Sequence, residues 1–253
     1  MNHTPKQTIE FFHLLFLKYL EGKLEKNLYA LKGGANLRFF FKSIRYSEDI
    51  DFDVRIVAKN TLQQKITKLL KSQPFAQILS SKGIEIVHLR EAKQTDTTQR
   101  WKLNLRVPTS ALPLPTKIEF SRRTMTEKTI FEAIDTDIIQ RYQLYPILAN
   151  HYTAEAAFCQ KINALISRAE TQARDIFDLK WLIDLKVNTK ILPSSTKAKV
   201  KDAIENIKSI GFSEFKSQVI AYLMPEYQEY YDSLNRWREL QTQVIHTLQK
   251  LQK

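Results

Sequence analysis

Two pairs of residues in the first quarter of the chain have the types and spacing needed for metal-assisted phosphate chemistry. Gly33 and Gly34 follow a short apolar run and are two of only five glycines in 253 residues. Asp49 comes fifteen residues after Gly34, and Asp51 follows two residues later. Because alternate side chains of a strand share a face, the two carboxylates point the same way. Carboxylates are hard ligands that leave coordination positions for water and phosphate, so the pair predicts a Mg²⁺ site.

The glycine pair predicts a second feature, a site for phosphate groups. A glycine turn that opens a helix lets backbone N–H groups approach a phosphate closely, at the positive end of the helix dipole. We therefore expect residues 31–54 to form a strand, a glycine turn, a helix and a strand. Either pair alone is common, as a solvated strand end or an ordinary turn. Their order and helix-length spacing make the combination more specific.

Two blocks of the chain carry a resemblance to a known family. The run RYSEDID at residues 45–51, preceded by the glycine pair, resembles the first motif of nucleotidyltransferases with the DNA polymerase β fold. More narrowly, it is similar to the AbiEii/AbiGii toxin family, to which the MenT toxins belong. The block KINALISRAETQARDIFDL at residues 161–179 resembles this family's second motif, a lysine on one helix followed by an Arg-Asp pair that starts the next.

The resemblance implies nucleotidyl transfer from a nucleoside triphosphate. One or two Mg²⁺ ions held by Asp49 and Asp51 would activate a hydroxyl that attacks the α-phosphorus, and pyrophosphate would leave. The family's active-site lysine and aspartate map to Lys161 and Asp175. From the residues alone, the favoured interpretation of Lys161 is a solvated helix lysine and that of Asp175 is a helix-start acid. The groups implied to contact the nucleotide are Gly33, Gly34, Arg45, Ser47 and Lys161.

A third acid is a candidate metal ligand. Glu119 is the lone acid in the apolar alternation of residues 116–121. The superfamily places its third carboxylate on a later strand of the same sheet, so Glu119 would ligate the metal or take the proton of the attacking hydroxyl. An exposed strand residue is the equally weighted alternative.

The composition favours an acidic partner. The net charge is +12, from 39 basic and 27 acidic residues, and the isoelectric point is about 9.6. Such a charge favours polyanions, although many soluble proteins are basic without binding RNA. The single cysteine, Cys159, excludes an internal disulfide, and the five histidines show no paired spacing for zinc. No segment is apolar over a membrane-spanning length, so we expect a cytoplasmic protein without a membrane partner.

Hydrophobic periodicity predicts the remaining elements. Helices are predicted over residues 8–24, 59–72 and most of the chain from 129 onward, and strands over 84–89, 101–107 and 116–121. We therefore expect an α/β (α+β) fold with a polymerase β-like nucleotidyltransferase mixed sheet, flanking helices and a C-terminal helical lobe.

Two domains are expected from the same pattern. Residues 1–126 would form the nucleotidyltransferase domain with the metal-binding acids, and residues 127–253 the helical lobe that completes the active-site cleft. Near the C-terminus, several tyrosines and Trp237 lie among lysines and arginines. This mixture can stack bases and hold phosphates, but aromatic stripes at helical spacing are more often core.

The resemblance implies the toxin of a toxin–antitoxin or abortive-infection system. Its acceptor would be an RNA, with tRNA 3′ ends in the best-understood relatives, and a cognate antitoxin would be its protein partner. One alternative is a small-molecule nucleotidyltransferase of the aminoglycoside type, whose cationic substrates suit a +12 protein poorly. The other is a non-catalytic RNA- or partner-binding module, against which the intact set of Asp49, Asp51, Lys161 and Asp175 argues.

Overall fold

The structure of the chain is a computed structural model that describes residues 3–122, 125, 127–189 and 192–251. Contacts divide the chain into two compact units. The first unit comprises Met1–Lys42 and Tyr46–Tyr152, and the second comprises Ser43–Arg45 and Thr153–Lys253.

The first unit is built on one mixed sheet flanked by helices. Within the described residues its strands are β1 (Tyr29–Lys32), β2 (Ile50–Val54), β3 (Glu85–Gln94), β4 (Thr98–Arg106), β5 (Leu114–Ser121), β6 (Thr129–Ala133) and β7 (Leu148–Tyr152). Its helices there are α1 (Pro5–Glu21), α2 (Gly33–Phe40), α3 (Lys59–Leu70), α4 (Gln73–Ser81) and α5 (Thr136–Arg141). The seven described strands lie in the order β3-β4-β5-β2-β1-β7-β6. The expected mixed sheet is confirmed.

Strand β2 lies at the centre of this sheet and alternates as predicted. It pairs antiparallel with β1 and parallel with β5. Ile50 and Phe52 are buried, and the Phe52 ring stacks on Phe120 with 4.7 Å between centroids. Because the period of a strand is two, Asp51 faces away from this core. The aromatic packing therefore fixes which face of the sheet carries the acid.

The N-terminal helix covers the opposite, apolar face of the sheet. Thr4 and Gln7 cap α1 reciprocally, and Pro5 occupies its first turn, where a missing N–H is tolerated. Most of its apolar side chains are buried, so the predicted amphipathic helix is confirmed with slightly earlier bounds. Helix α4 was not expected, because a proline just after the predicted helix 59–72 indicates the end of a helix. Pro74 instead lies in the first turn of α4.

The prediction that most of the chain from residue 129 onward is helical is wrong for its first part, which contains strands β6 and β7. Strands β6 and β7 pair antiparallel with each other, and β7 pairs parallel with β1, with His151 opposite Leu31. These pairings join segments far apart in the sequence, which local periodicity does not report. The division between the units accordingly falls after Tyr152, later than the expected boundary after residue 126. Thr126 itself lies outside the described residues.

The second unit is helical, as expected for the C-terminal part of the chain. Its described helices are α6 (Ala154–Ser167), α7 (Ala173–Asp184), α8 (Ser194–Lys197), α9 (Val200–Lys208), α10 (Phe212–Gln218), α11 (Pro225–Tyr231) and α12 (Leu234–Lys250). Trp237 is buried and stacks on Phe215 with 4.4 Å between centroids, so it belongs to the core, whereas Tyr230 is exposed. Among the described residues, no helix combines the length and apolar character needed to cross a membrane.

A buried ion pair joins α1 to α2 in the first unit. Arg38 Nε donates to Glu10 Oε2 over 2.6 Å, and both side chains are almost completely buried. The Tyr142 hydroxyl donates to the other Glu10 oxygen over 2.9 Å. Removing one partner of a buried pair leaves an uncompensated charge, which costs far more than breaking an exposed pair.

This pair gives a test of the packing of the first unit. We expect Glu10→Ala to lower the free energy of unfolding by about 3–5 kcal/mol, because the Arg38 guanidinium is left buried without its carboxylate. Glu85→Ala is the matched control: it breaks the exposed Glu85–Arg106 pair, and we expect a loss below about 1 kcal/mol. Urea denaturation measures both values. Equal losses for the two variants would contradict the assigned importance of the buried pair.

Candidate active site

Three carboxylates lie together on the first unit's sheet, at the end of β2 that follows RYSE. Asp51 of β2 is directly opposite Glu119 of β5 in the parallel pairing, and Asp49 lies just before β2. We call Asp49, Asp51 and Glu119 the carboxylate cluster. Directly paired residues on neighbouring strands share a face, so the structure brings Glu119 to the face that carries Asp51.

Gly33 is required where α2 begins beside this cluster. Its φ of +71° is one that L side chains rarely adopt, and a Cβ there would lie 3.2 Å from Asp51 Oδ2. Lys32 is the N-cap of α2, and it provides no side-chain cap hydrogen bond. The N–H groups of the first turn, which include Gly34, therefore lie at the positive end of the helix without a side-chain cap from Lys32.

The three carboxylates differ in their partners. Asp49 Oδ2 lies 2.7 Å from Lys117 Nζ, and its Oδ1 accepts from Lys117 N over 3.1 Å. Glu119 Oε2 accepts from Arg100 Nε over 2.6 Å. Within the described part of the chain, the Asp51 carboxylate has no hydrogen bond or ion pair. Burial raises the pKa of Asp51 above its usual value, and the charges of Asp49 and Glu119 add to this effect against the opposing influence of Lys117 and Lys32.

These properties suit a hard divalent cation. The described residues contain no preformed group of three or more His, Cys, Asp and Glu side chains placed to hold a metal ion. The donor set nevertheless fits Mg²⁺, because Asp51 is a half-buried carboxylate without a cation partner between two like charges. A divalent ion would relieve this repulsion and use oxygen ligands of the kind it prefers. Asp49 pairs with Lys117 and Glu119 pairs with Arg100, and these ion pairs hold the two flanking acids in position.

The sequence did not predict the ion pair between Lys32 and Asp53, which lies beside the glycine turn. Asp53 Oδ1 lies 2.5 Å from Lys32 Nζ, and Asp53 Oδ2 accepts from the Tyr152 hydroxyl over 2.8 Å. Lys32 is opposite Asp51 in the β1–β2 pairing, so this ammonium is held on the same face as the cluster. Continuing the alternation of Asp49 and Asp51 by two residues would have found Asp53.

The serine of the first motif has a local contact. Ser47 Oγ donates to the backbone carbonyl oxygen of Asp49 over 2.9 Å, a bond that shapes the turn leading into β2. Its contact with a nucleotide stays a prediction, as do those of Gly33 and Gly34.

The second unit contains a buried ion-pair network formed by Arg45, Lys161, Arg168, Asp175 and Asp178. Lys161 Nζ lies 2.8 Å from Asp175 Oδ1 and 2.6 Å from Asp178 Oδ2. Lys161 is almost fully buried and both aspartates are completely so. The structure thus brings the two predicted residues of the second motif together in direct contact. Asp178, on the same face of α7 one turn later, was not predicted as a member of the site.

Arg45 belongs to this network through Asp178. Its Nε and Nη2 donate to Asp178 Oδ1 over 3.1 and 3.0 Å, and Nη2 also reaches Oδ2 at 2.9 Å. Burial would raise the pKa of Asp178, but Arg45 and Lys161 outweigh it and hold that pKa below its usual value. The structure therefore gives Arg45 an ion-pairing role, while its predicted nucleotide contact stays untested.

The remaining oxygen of Asp175 has an incomplete set of contacts. Asp175 Oδ2 is buried and makes no hydrogen bond, although Arg168 Nε lies 3.2 Å away. The network as a whole contains three cations and two carboxylates, a surplus of one positive charge. Gln172 is the N-cap of α7, and Asp175 lies in the first turn of that helix.

Comparison with known proteins gives a family match over most of the chain. Residues 15–240 match the family described as the nucleotidyl transferase AbiEii toxin of type IV toxin–antitoxin systems. This range includes the carboxylate cluster and the ion-pair network. A search of curated protein sequences finds no match.

Solved structures resemble the chain in fold. JHP933 from Helicobacter pylori has a TM-score of 0.60 at 18% identity, covering 99% of this chain and 96% of that one. MenT4, the nucleotidyltransferase toxin Rv2826c from Mycobacterium tuberculosis H37Rv, has a TM-score of 0.65 at 16% identity, covering 95% and 82%. At these identities the likeness establishes the fold, and the expected nucleotidyltransferase architecture is confirmed.

The raised pKa of Asp51 predicts an unusual stability effect. In the folded protein the ionised form of Asp51 is disfavoured, so ionisation of this group lowers the free energy of unfolding. The loss is absent below the usual aspartate pKa of about 4 and fully present above the raised pKa. We expect Asp51→Asn to raise the Tm at pH 7 in EDTA, with the gain disappearing as the pH falls towards 4. Asp96→Asn is the control: Lys59 lowers the pKa of this exposed group, so no gain is expected. A lower Tm for Asp51→Asn at pH 7 would refute the assignment.

The network predicts a large stability loss in the second unit. Lys161→Met would leave Asp175 and Asp178 buried without the ammonium that both contact, and we expect the free energy of unfolding to fall by about 3–5 kcal/mol. The control Lys180→Met removes the Lys180–Asp184 pair on the surface of α7, for which we expect about 0.5 kcal/mol. Urea denaturation compares the two. A Lys161→Met protein as stable as the control would show that the network does not support the fold.

Proposed function

The chain belongs to the AbiEii family of nucleotidyl transferase toxins, and from this premise we propose that it transfers a nucleoside monophosphate from a nucleoside triphosphate to an RNA acceptor. The 3′ end of a tRNA is the acceptor that we expect. The observation that carries the proposal is the position of Asp51, flanked by Asp49 and Glu119 and beside Gly33 at the uncapped start of α2. A carboxylate cluster next to an anion site is what a metal-dependent phosphoryl reaction requires.

We propose that Asp49, Asp51 and Glu119 hold one or two Mg²⁺ ions. When bound, Mg²⁺ would neutralise the triphosphate and lower the pKa of the attacking hydroxyl. The first-turn N–H groups of α2 would bind the β and γ phosphates, with Gly33 and Gly34 allowing the close approach. Asp53 and Tyr152 would hold the Lys32 ammonium on the same face. The Glu119 carboxylate is also a candidate for accepting the hydroxyl proton, since Arg100 engages only one of its oxygens.

We also propose that Lys161 is a nucleotide-binding residue. The network has one cation more than it has acids, so it can attract a phosphate. Asp175 and Asp178 fix the position of the Lys161 ammonium, which reduces the entropy lost when an anion binds. In this role Asp175 is a positioning residue. The family description also supports a cognate antitoxin as a partner.

A labelled-nucleotide assay tests this function. Purified protein is incubated with total tRNA, Mg²⁺ and each α-labelled nucleoside triphosphate in turn, beside Asp49→Ala and Asp51→Asn. We expect one or more nucleotides to label tRNA and both variants to lose at least about 100-fold in rate, because each loses an ionised metal ligand worth several kcal/mol. Asp96→Asn, an exposed acid bound to Lys59, is the matched control and should keep full activity.

The same assay separates the alternatives. Label on an aminoglycoside and none on tRNA would replace the RNA acceptor by a small molecule. Equal labelling by the wild type and both cluster variants would contradict the metal site. Absence of label with every acceptor, in a protein that still binds tRNA, would favour a binding module.

A further inference from the structure

The sheet face that carries the carboxylate cluster continues as a basic face over β5, β4 and β3. Lys117 of β5 is directly opposite Lys102 of β4, and Lys102 is directly opposite Arg90 of β3. We call Arg90, Lys102 and Lys117 the basic row. Arg90 and Lys102 are exposed, whereas the neighbours Trp101 and Leu103 on β4 are buried on the other face. The row is thus one continuous line of positive charge across three strands.

This arrangement is unfavourable for the free protein. Directly opposed side chains on neighbouring strands lie about 5 Å apart, and like charges in such pairs destabilise a sheet. In the described part of the chain, neither Arg90 nor Lys102 forms an ion pair that would relieve the repulsion. Lys93, one row away on β3, is a further exposed cation. A bound polyanion would remove this repulsion.

Protection of an exposed sheet edge does not account for the row. Charged residues, lysines especially, are common on edge strands because they discourage pairing with other chains. Only Arg90 lies on an edge strand, β3; β4 and β5 are each flanked by strands on both sides. Edge protection therefore does not explain Lys102, which lies on an inner strand and, unlike Lys117, forms no ion pair with the described residues.

The direction of the row indicates what it would bind. One end, Lys117, contacts Asp49 at 2.7 Å, and the other end lies two strands away, about 10 Å from the cluster. The start of α2 lies on the opposite side of β2, next to β1. The acids thus lie between an anion site suited to a triphosphate and a longer basic line suited to a polymer of phosphates.

We propose that the basic row binds the phosphate backbone of the acceptor RNA and leads its 3′ end to the carboxylate cluster. This inference rests on the proposed function and adds the surface that recognises the acceptor. The side chains of the row are cations without base-reading geometry, so they would contact phosphates in any sequence. The exposed tyrosines of the second unit are not needed for this contact.

The test compares two double variants that remove the same charge. Arg90→Gln with Lys102→Gln neutralises two members of the row that do not touch the acids. Lys68→Gln with Lys71→Gln neutralises two exposed lysines on or next to α3, which packs on the other face of the sheet through the Trp101–Thr67 hydrogen bond. Binding of labelled total tRNA is measured over a salt series, and transfer of label is measured at limiting tRNA.

We expect the row variant to bind tRNA at least about 10-fold more weakly, with a slope of log affinity against log salt smaller by about 1.5 to 2, because two phosphate contacts are lost. Its transfer rate at limiting tRNA should fall in parallel. The α3 variant should bind and transfer as the wild type does. Lys102→Arg, which keeps the charge, should retain tRNA binding.

Thermal unfolding checks that the row variant is folded, and its Tm should equal or exceed that of the wild type because a repulsion has been removed. Equal weakening by both double variants would overturn the proposal, since only net charge would then matter. So would a folded row variant with wild-type tRNA binding and transfer, and in that case the transferase function would stand. If the wild type labels no RNA but only the row variant loses tRNA binding, the surface is supported and the transferase function fails.

Discussion

The parallel pairing of β2 with β5 determines the chemistry that the first unit can support. It sets Asp51 opposite Glu119, while the antiparallel pairing with β1 sets Asp51 opposite Lys32. A shift of one residue in either register would turn Asp51 towards the apolar face. The buried alternation of β2, with Phe52 stacked on Phe120, makes such a shift costly. Packing on one face of the sheet therefore fixes the charges on the other.

On the sheet face that carries the carboxylate cluster, a small number of cations, each in a defined position, compensate the negative charges. Lys117 pairs with Asp49, Arg100 with Glu119 and Lys32 with Asp53, while Asp51 is left with two like-charged neighbours. Such a face is less stable than one with complete pairing, because the raised pKa of Asp51 is a folding cost at neutral pH. Functional sites commonly keep unfavourable charge of this kind, which a ligand then relieves.

The sequence predicted the features of this site that depend on local spacing. Asp49 and Asp51 could be placed by the period of a strand, and Gly33 by the scarcity of glycine before a helix. The roles of three residues were not predicted: Lys117, Arg100 and Asp178. Those of Lys117 and Arg100 depend on strand register, and that of Asp178 depends on the packing of α7 against α6. The same limit explains β6 and β7: each is five residues long, and their place in the sheet depends on pairings with distant segments. The family resemblance supplied Lys161 and Asp175, which charge and spacing alone left as ordinary helix residues.

The side chains of the ion-pair network differ in how deeply they are buried and in how completely their charges are paired. Arg45 and Asp178 neutralise each other in a bidentate pair, and Lys161 shares its ammonium between Asp178 and Asp175. The surplus positive charge therefore lies nearest Arg168, the member of the network with the largest solvent exposure. Buried ion pairs add little net stability but define position well. If the network binds an anion as proposed, the fixed ammonium of Lys161 would give it a preorganised contact, and the more accessible guanidinium of Arg168 would supply the long-range attraction.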